Sequence, residues 1–272
     1  MAYQVELHYH ALTDTGLLRT HNEDAVAVLP DIGVALLADG MGGYSAGEVA
    51  SRIAVDVCSS VLEAGLKSFD WSIAADRADR LARLMQDAVV RANLAIYEAG
   101  QQDVRHAGMG TTLVILLMHH DKLIVAHVGD SRAYRLRDGM LEQITRDHSQ
   151  VQEQIDAGLI TTQQARFATN RNLVTRAMGI DRAVEPDLNQ FVTKAGDLYL
   201  LCSDGLSDMV EDAEIATILY GAASTLARAA GGLVNRANAL GGNDNISVIL
   251  LRIDAVSPET PGLLGRMLDW IR

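Results

Sequence analysis

The chain has 272 residues, 49% of them apolar, and a formal net charge of −12 at pH 7. That length buries a sizeable core in one large domain or two small ones, and the acidic balance argues against a general nucleic-acid binder or a protein held to anionic lipid by charge. The opening MAYQVELHYH lacks the basic-then-apolar pattern of a secretory leader, and the apolar run LVILLM is far too short to span a bilayer, so a cytoplasmic protein is expected.

In chain order, residues 25–29, 33–38, 113–118, 123–128, 198–202 and 246–253 are short runs rich in β-branched residues and bounded by turn residues, which predicts strands. Ser45-Ala46-Gly47-Glu48 has capping-box spacing, and Val49, Ile53, Val57 and Val61 follow as an i, i+4 stripe, which predicts a helix. A longer helix is expected over 73–97, with Leu81, Leu84, Met85, Ala88, Ala92, Ala95 and Ile96 on one face. LVILLMHHDKLIVAHV reads as two strands around a His-His-Asp-Lys turn, which favours antiparallel pairing. His119 and His120 are expected to point to opposite faces of a strand. Thr161 and Gln164 have the spacing of a second capping box, and further helix is expected over about 212–240. Strand runs and helix runs segregate, so the fold class is α+β, with helices covering antiparallel sheets. Cys58 and Cys202 sit in apolar strings and read as buried thiols.

Carboxylates gather where these strands begin or end. Asp39-Gly40, Asp130 and Asp204-Gly205 each follow an apolar run, Glu23 and Asp24 precede the first strand, and Asp244 precedes the last. Each alone reads as a turn. Together they pose a physical problem, because carboxylates crowded at one rim of a sheet repel one another and raise their own pKa values. A divalent cation removes that penalty, and an all-oxygen ligand set suits Mg²⁺ or Mn²⁺. No Cys pair and no His-x-x-x-His spacing supports zinc, and no Gly-x-Ser-x-Gly supports a serine nucleophile. DGMGGYSAG is glycine-rich and opens a helix, but lacks the Gly-Lys-Ser/Thr ending of a nucleotide-binding loop. Arg19, four residues before Glu23, can clamp an anion beside such a metal group.

The strings GLLRTHNEDA, ALLADGMGGYSAGEVAS, GMGTTLV, HVGDSRAYRLRDG, ITRDHSQV, NRNLVTRAMG, LLCSDGLSDMV and GGNDNISVIL, in this order, resemble the metal-dependent protein phosphatases of the protein phosphatase 2C family. Met-Gly-Gly after Asp39-Gly40 is similar to the bacterial Ser/Thr phosphatase branch. The resemblance implies a four-layer α/β/β/α sandwich with two central antiparallel sheets and a dinuclear metal site at one end. It implies hydrolysis of phosphoserine and phosphothreonine in proteins by a hydroxide bridging two Mn²⁺ or Mg²⁺ ions, opposite a bacterial Ser/Thr kinase. Carried over by motif, Asp39 bridges the ions, the Gly40 carbonyl ligates one, and Asp204 and Asp244 ligate the other. Glu23 and Asp24 hold metal-bound waters or the metal itself, and Arg19 binds the substrate phosphate. Asp130 shares a third, weaker ion with Asp204, helped by an oxygen of Asn172. Some relatives place a histidine directly after the Asp-Gly to protonate the leaving group; Met41 stands there and cannot.

The same resemblance makes residues 1–256 the catalytic domain and about 147–178 a flap beside its site, with Arg166, Arg171 and Arg176 available to meet substrate. FATNRN replaces the His-Pro often found in that flap, so 167–170 are expected to form a different loop. Residues 257–272 form a tail in which Leu263, Leu264, Met267, Leu268 and Ile271 make a short apolar stripe, the one route to membrane contact. Two other readings compete. A catalytically silent relative acting as a phosphoprotein-binding scaffold does not require the whole acidic set with Arg19. A two-metal nuclease sits badly with the net charge and with the lack of a basic, aromatic-bearing groove.

Overall fold

The computed structural model describes residues 3–258 apart from 44–45, 74–75, 166–167, 171 and 223–224. It opens with β1 (Tyr3–Asp14), β2 (Asp24–Leu29) and β3 (Val34–Met41), followed by the long helices α1 (Ala46–Lys67) and α2 (Arg77–Gln102). The strands β4 (Gly110–Thr111), β5 (Leu113–His119), β6 (Lys122–Val128), β7 (Arg132–Arg137) and β8 (Met140–Gln143) come next. Short helices α3 (Gln150–Asp156) and α4 (Thr162–Ala165) belong to the flap, and then come β9 (Asp187–Val192) and β10 (Leu198–Cys202). Helices α5 (Asp204–Ser207), α6 (Asp212–Ala222) and α7 (Leu226–Ala239) precede β11 (Ile246–Pro258).

Among the described residues one sheet runs β1-β11-β10-β7-β8 and the other β2-β3-β5-β6-β9, with β4 paired to the end of β3; every pairing is antiparallel. Side-chain alternation explains why the strands read as unbroken apolar runs. In β3, Val34, Leu36 and Ala38 pack under α1 and α2, whereas Ala35 and Leu37 face the other sheet. In β10, Leu198, Leu200 and Cys202 pack under α6 and α7, whereas Tyr199 and Leu201 enter the same inter-sheet core. Three apolar layers between four structural layers make the expected α/β/β/α sandwich.

Several local expectations are corrected. The expected helix over 73–97 begins at Arg77, with Ile73 exposed, and the helical stretch over 212–240 is two helices. The stripe Val49, Ile53, Val57 and Val61 flanks the buried face of α1, where Ala50, Ser51, Ala54, Cys58 and Leu62 are wholly excluded from water. Ser45 lies outside the described residues, as do Arg166, Phe167, Arg171 and the apolar stripe of the tail. The Thr161 capping box forms, with the Thr161 N–H donating to Gln164 Oε1 at 2.8 Å and the Gln164 N–H to Thr161 Oγ1 at 3.2 Å. His120 leaves the strand at φ +54° to make the hairpin turn, so its ring meets that of His119 at 4.0 Å instead of facing away. β11 continues past 256, and Ser257 and Pro258 pair with Gln4 and Tyr3.

Candidate active site

Strand parity brings the first acids together. Val26 and Val28 of β2 and Ala35 and Leu37 of β3 face the inter-sheet core, so Asp24 and Asp39 continue that face beyond its last apolar residues. The two are direct partners in the β2–β3 register. The sequence reading placed Asp39 past the end of its strand; it lies within β3, held by pairing on both sides. The Asp39 N–H donates to Thr112 Oγ1 at 3.0 Å, the Thr112 N–H donates back to Asp39 O at 2.9 Å, and Thr111 Oγ1 donates to the same carbonyl at 2.8 Å.

Glu23 is seated between the sheet and a helix start. Its carbonyl accepts from the Gly40 N–H at 3.1 Å, and its carboxylate accepts from the backbone N–H groups of Gly47 and Glu48 in the first turn of α1. Gly40 and Gly47 are in backbone contact; a Cβ on either would run into the other, and one on Gly47 would also lie 2.9 Å from the Glu23 carboxylate. Glycine at 40 is therefore required by helix packing as well as by any use of its carbonyl.

The second sheet delivers Asp204 and Asp244 to the same end, because β10 and β11 are antiparallel neighbours and one ends where the other begins. The Ser203 N–H donates to Ser247 O at 3.1 Å, the Ser247 N–H returns to Ser203 Oγ at 3.0 Å, and Ser203 Oγ donates across the sheets to Asp24 Oδ2 at 2.9 Å. Buried Asn245 accepts from the Glu23 N–H at 2.7 Å and donates to the carbonyls of Thr15 and His21, each at 2.9 Å. Gly205 lies so close to the Asn245 carbonyl that a Cβ cannot fit. Arg19 donates to Asp244 Oδ2 at 2.7 Å and is half exposed. Ser203 and Asn245 were not singled out from the sequence; their only signal was a polar residue inside an otherwise apolar strand boundary.

The electrostatics show convergence. Burial, then Asp24, Asp204, Asp130 and Asp244, pushes the Asp39 carboxyl well above the usual carboxylate range. Asp204 is raised in the same way, by burial and then by Asp130, Asp208, Asp244 and Asp24. Burial lifts Asp24 to about 6 and, joined by Asp147, Asp130 to about 7. Glu23 is lifted by burial, opposed by the Arg19 charge. Asp24 and Asp39 are direct partners across the β2–β3 register, so each carboxylate ionises against the other's charge. Asp24 Oδ1 is buried without a partner. An acidic set whose members repel one another, with an orphaned buried oxygen, fits divalent cations of the Mg²⁺ or Mn²⁺ type.

Beside this group lies a hollow of about 380 Å³, lined by Asp130, Asp204, Ser207 and Asp208 and bordered by α3 and α4. Asp130 is buried in the turn between β6 and β7, whereas Asn172 is exposed on the flap and its assignment rests on motif alone. Arg176, expected to be available to substrate, donates to Asp187 Oδ1 at 2.6 Å and to Glu185 O at 3.1 Å. Among the described residues, His127, His148 and Asp187 bring ligand atoms within 4.8 Å of one another. Their hydrogen bonds do not fit a metal. The Gly129 N–H donates to His148 Nδ1 at 3.1 Å, and Arg176 Nη1 lies 3.0 Å from His148 Nε2 and 2.6 Å from Asp187 Oδ1, so a guanidinium already occupies the position a cation would take.

A family model described as Protein phosphatase 2C matches residues 19–239. "Serine/threonine phosphatase stp" of Listeria monocytogenes serotype 4b is 36% identical over 253 residues, covering 91% of this chain and 96% of that protein. "Serine/threonine protein phosphatase PstP" of Mycobacterium tuberculosis is 42% identical over 245 residues, 90% of this chain but 44% of that longer protein. The crystal structure of the M. tuberculosis phosphatase superposes with a TM-score of 0.81 at 38% identity, covering 93% of this chain and 100% of that one. A structure of the PstP catalytic domain in complex with two manganese ions gives 0.80 at 36% identity, covering 93% and 100%. On the fold, the convergent acids and these matches, the chain belongs to the protein phosphatase 2C family.

Proposed function

We propose that the protein hydrolyses phosphoserine and phosphothreonine in proteins, with Asp39 between two Mn²⁺ or Mg²⁺ ions. Asp204 and Asp244 serve one ion, the Gly40 carbonyl the other, and Glu23 and Asp24 hold the ions or their waters. When bound, such ions polarise a phosphoryl oxygen and make water acidic enough to react at neutral pH. The observation that carries the reading is the convergence of carboxylates from both sheets at one end of the sandwich, with a mutual repulsion that cations relieve. The manganese-bound PstP catalytic domain supports the choice of ion.

Arg19 uses one donor on Asp244, which orients its guanidinium and leaves further N–H groups for the substrate phosphate. No side chain attacks phosphorus in this reading. Cys58 and Cys202 are buried, and burial pushes each thiol up to about 12. Asp130, with Asp204 and Asn172, holds a third, weaker ion. The substrate requires an opposing Ser/Thr kinase that consumes nucleoside triphosphate, which places the reaction in the cytoplasm. Residues 1–256 serve as the catalytic domain in this reading, followed by the tail 257–272.

A phosphothreonine peptide and an aryl phosphate, each assayed with Mn²⁺ and with chelator, test the reading. Mn²⁺-dependent release of phosphate from both is expected. Metal-independent turnover, or no turnover on phosphopeptide at saturating Mn²⁺, sinks it; the latter outcome favours the silent scaffold.

A further inference from the structure

The flap and the turn that carries Asp130 meet at one side chain. The flap stem is a short antiparallel pairing: Ser149 bridges to Val174, the Gln150 N–H donates to Leu173 O at 2.9 Å, and the Thr175 N–H to His148 O at 2.8 Å. At the root of this stem His148 grips Gly129 twice. Its own N–H donates to Gly129 O at 2.9 Å, and its Nδ1 accepts from the Gly129 N–H at 3.1 Å. Gly129 has φ +102°, and a Cβ there would lie 2.7 Å from Thr112, so the turn has no slack toward β5. On the other side of Asp130, Ser131 Oγ lies 2.7 Å from Thr112 Oγ1, the atom that accepts from the Asp39 N–H. Asp130 thus hangs between an anchor to the Asp39 strand and an anchor to the flap.

The ring of His148 is itself fixed. With Nδ1 an acceptor, Nε2 lies 3.3 Å from Asp187 Oδ1 and 3.0 Å from Arg176 Nη1, and Arg176 from the far end of the stem donates to that same Asp187 oxygen at 2.6 Å. The other face stacks on His127 at 4.8 Å and 13°, and His127 Nε2 lies 2.7 Å from the Arg146 carbonyl. Both ends of the flap therefore close on one carboxylate, through one imidazole.

We propose that His148 is the positioning residue of the Asp130 turn, through which seating of the flap sets how firmly Asp130 holds its cation. This rests on the reading of Asp130 as a ligand of the weaker ion. Outer-shell groups that orient a ligand typically change metal affinity by about 10- to 100-fold when removed. The two nitrogens can be separated chemically: Asn offers an acceptor where Nδ1 stands, whereas Gln reaches toward the Nε2 position and offers no acceptor to Gly129.

The experiment compares wild type with His148→Asn and His148→Gln by Mn²⁺ calorimetry and, without metal, by hydrogen exchange at the Gly129 amide. The expected result is a weak Mn²⁺ class about 10- to 100-fold weaker in His148→Gln, near wild type in His148→Asn, and tight sites unchanged in both. Gly129 protection should fall in His148→Gln and persist in His148→Asn. Equal losses in the two variants, or wild-type behaviour of His148→Gln, overturn the proposal, as does a wild-type protein with no weak Mn²⁺ class. Absence of phosphatase activity in a wild-type protein that gives the expected binding and exchange results would sink the proposed reaction and leave His148 in its role.

Discussion

Asp39 sits where two demands conflict. Its backbone is locked by Thr111 and Thr112, so its carboxyl cannot retreat from Asp24, Asp204, Asp130 and Asp244, each of which disfavours its charge. Without cations the fold bears this repulsion as a stability cost, a common trade between site and scaffold. Asp39→Asn removes one charge from the group while keeping the shape. The metal-free variant is expected to melt at or above wild type, to gain nothing from Mn²⁺, and to lose phosphatase rate by at least about 10²- to 10³-fold, comparable to the loss of one transition-state contact. Thermal melts with chelator and with Mn²⁺ check both halves; a variant still stabilised by Mn²⁺ as strongly as wild type removes Asp39 from the centre. At this scale the sequence was informative about chemistry. The acids and Arg19 were legible because their types and spacing are unusual for strand boundaries. Asn245 and Ser203 were not, because what makes them important is the distant backbone each one ties, Thr15 and His21 for one and the Ser247 strand for the other.

Among elements, the junction of β7 with the start of β10 depends on one ion pair. Arg137 donates to both oxygens of Asp197, at 2.7 and 2.6 Å, and Asp197, 1% exposed, also accepts from the Lys194 N–H and the Tyr199 hydroxyl. Burial pushes the Asp197 carboxyl up, but these donors outweigh it and hold it below the usual range. The folded value therefore lies under the unfolded one of about 3.9; the stabilisation is complete above that pH and disappears as pH falls through the folded value. Asp197→Asn is expected to lower the melting temperature at pH 7 and to flatten its decline below about pH 4. Arg137→Met leaves the carboxylate buried and unpaired and should cost about 3 kcal/mol or more in denaturant unfolding at pH 7. A loss under about 0.5 kcal/mol, the scale of an exposed pair, would show that the pair is not buried in solution. The strand holding Arg137 was itself missed in the sequence, as were β1, β4, β8 and β9. YQVELHYHALTD alternates polar with apolar residues, and RAYRLR is interrupted by arginines on both faces, so no continuous apolar run marked them. The strands that were read correctly carry apolar residues on both faces.

At the scale of the molecule, two sheets with a helical layer on each outer side leave Cys58 under α2 and Cys202 in the β10 core, both fully buried. A disulfide reagent added to the native protein should label neither thiol, and both should react once the protein is unfolded; rapid labelling of one in the native state would contradict this packing. Among the described residues no helix is long and apolar enough to cross a membrane.

The sequence by itself determined the α+β class, the buried central strands and the acids, because hydrophobic period and residue chemistry are local properties. It also carried the family pattern. The tertiary structure alone decided that Asp24 and Asp39 lie opposite each other on one face, that Arg19 leans on Asp244 across 225 residues of chain, and that His148 is bonded to the Asp130 turn. Those facts depend on sheet register and on which ends of antiparallel strands coincide. Local periodicity fixes which face a side chain takes, but it does not say which distant side chain lies opposite.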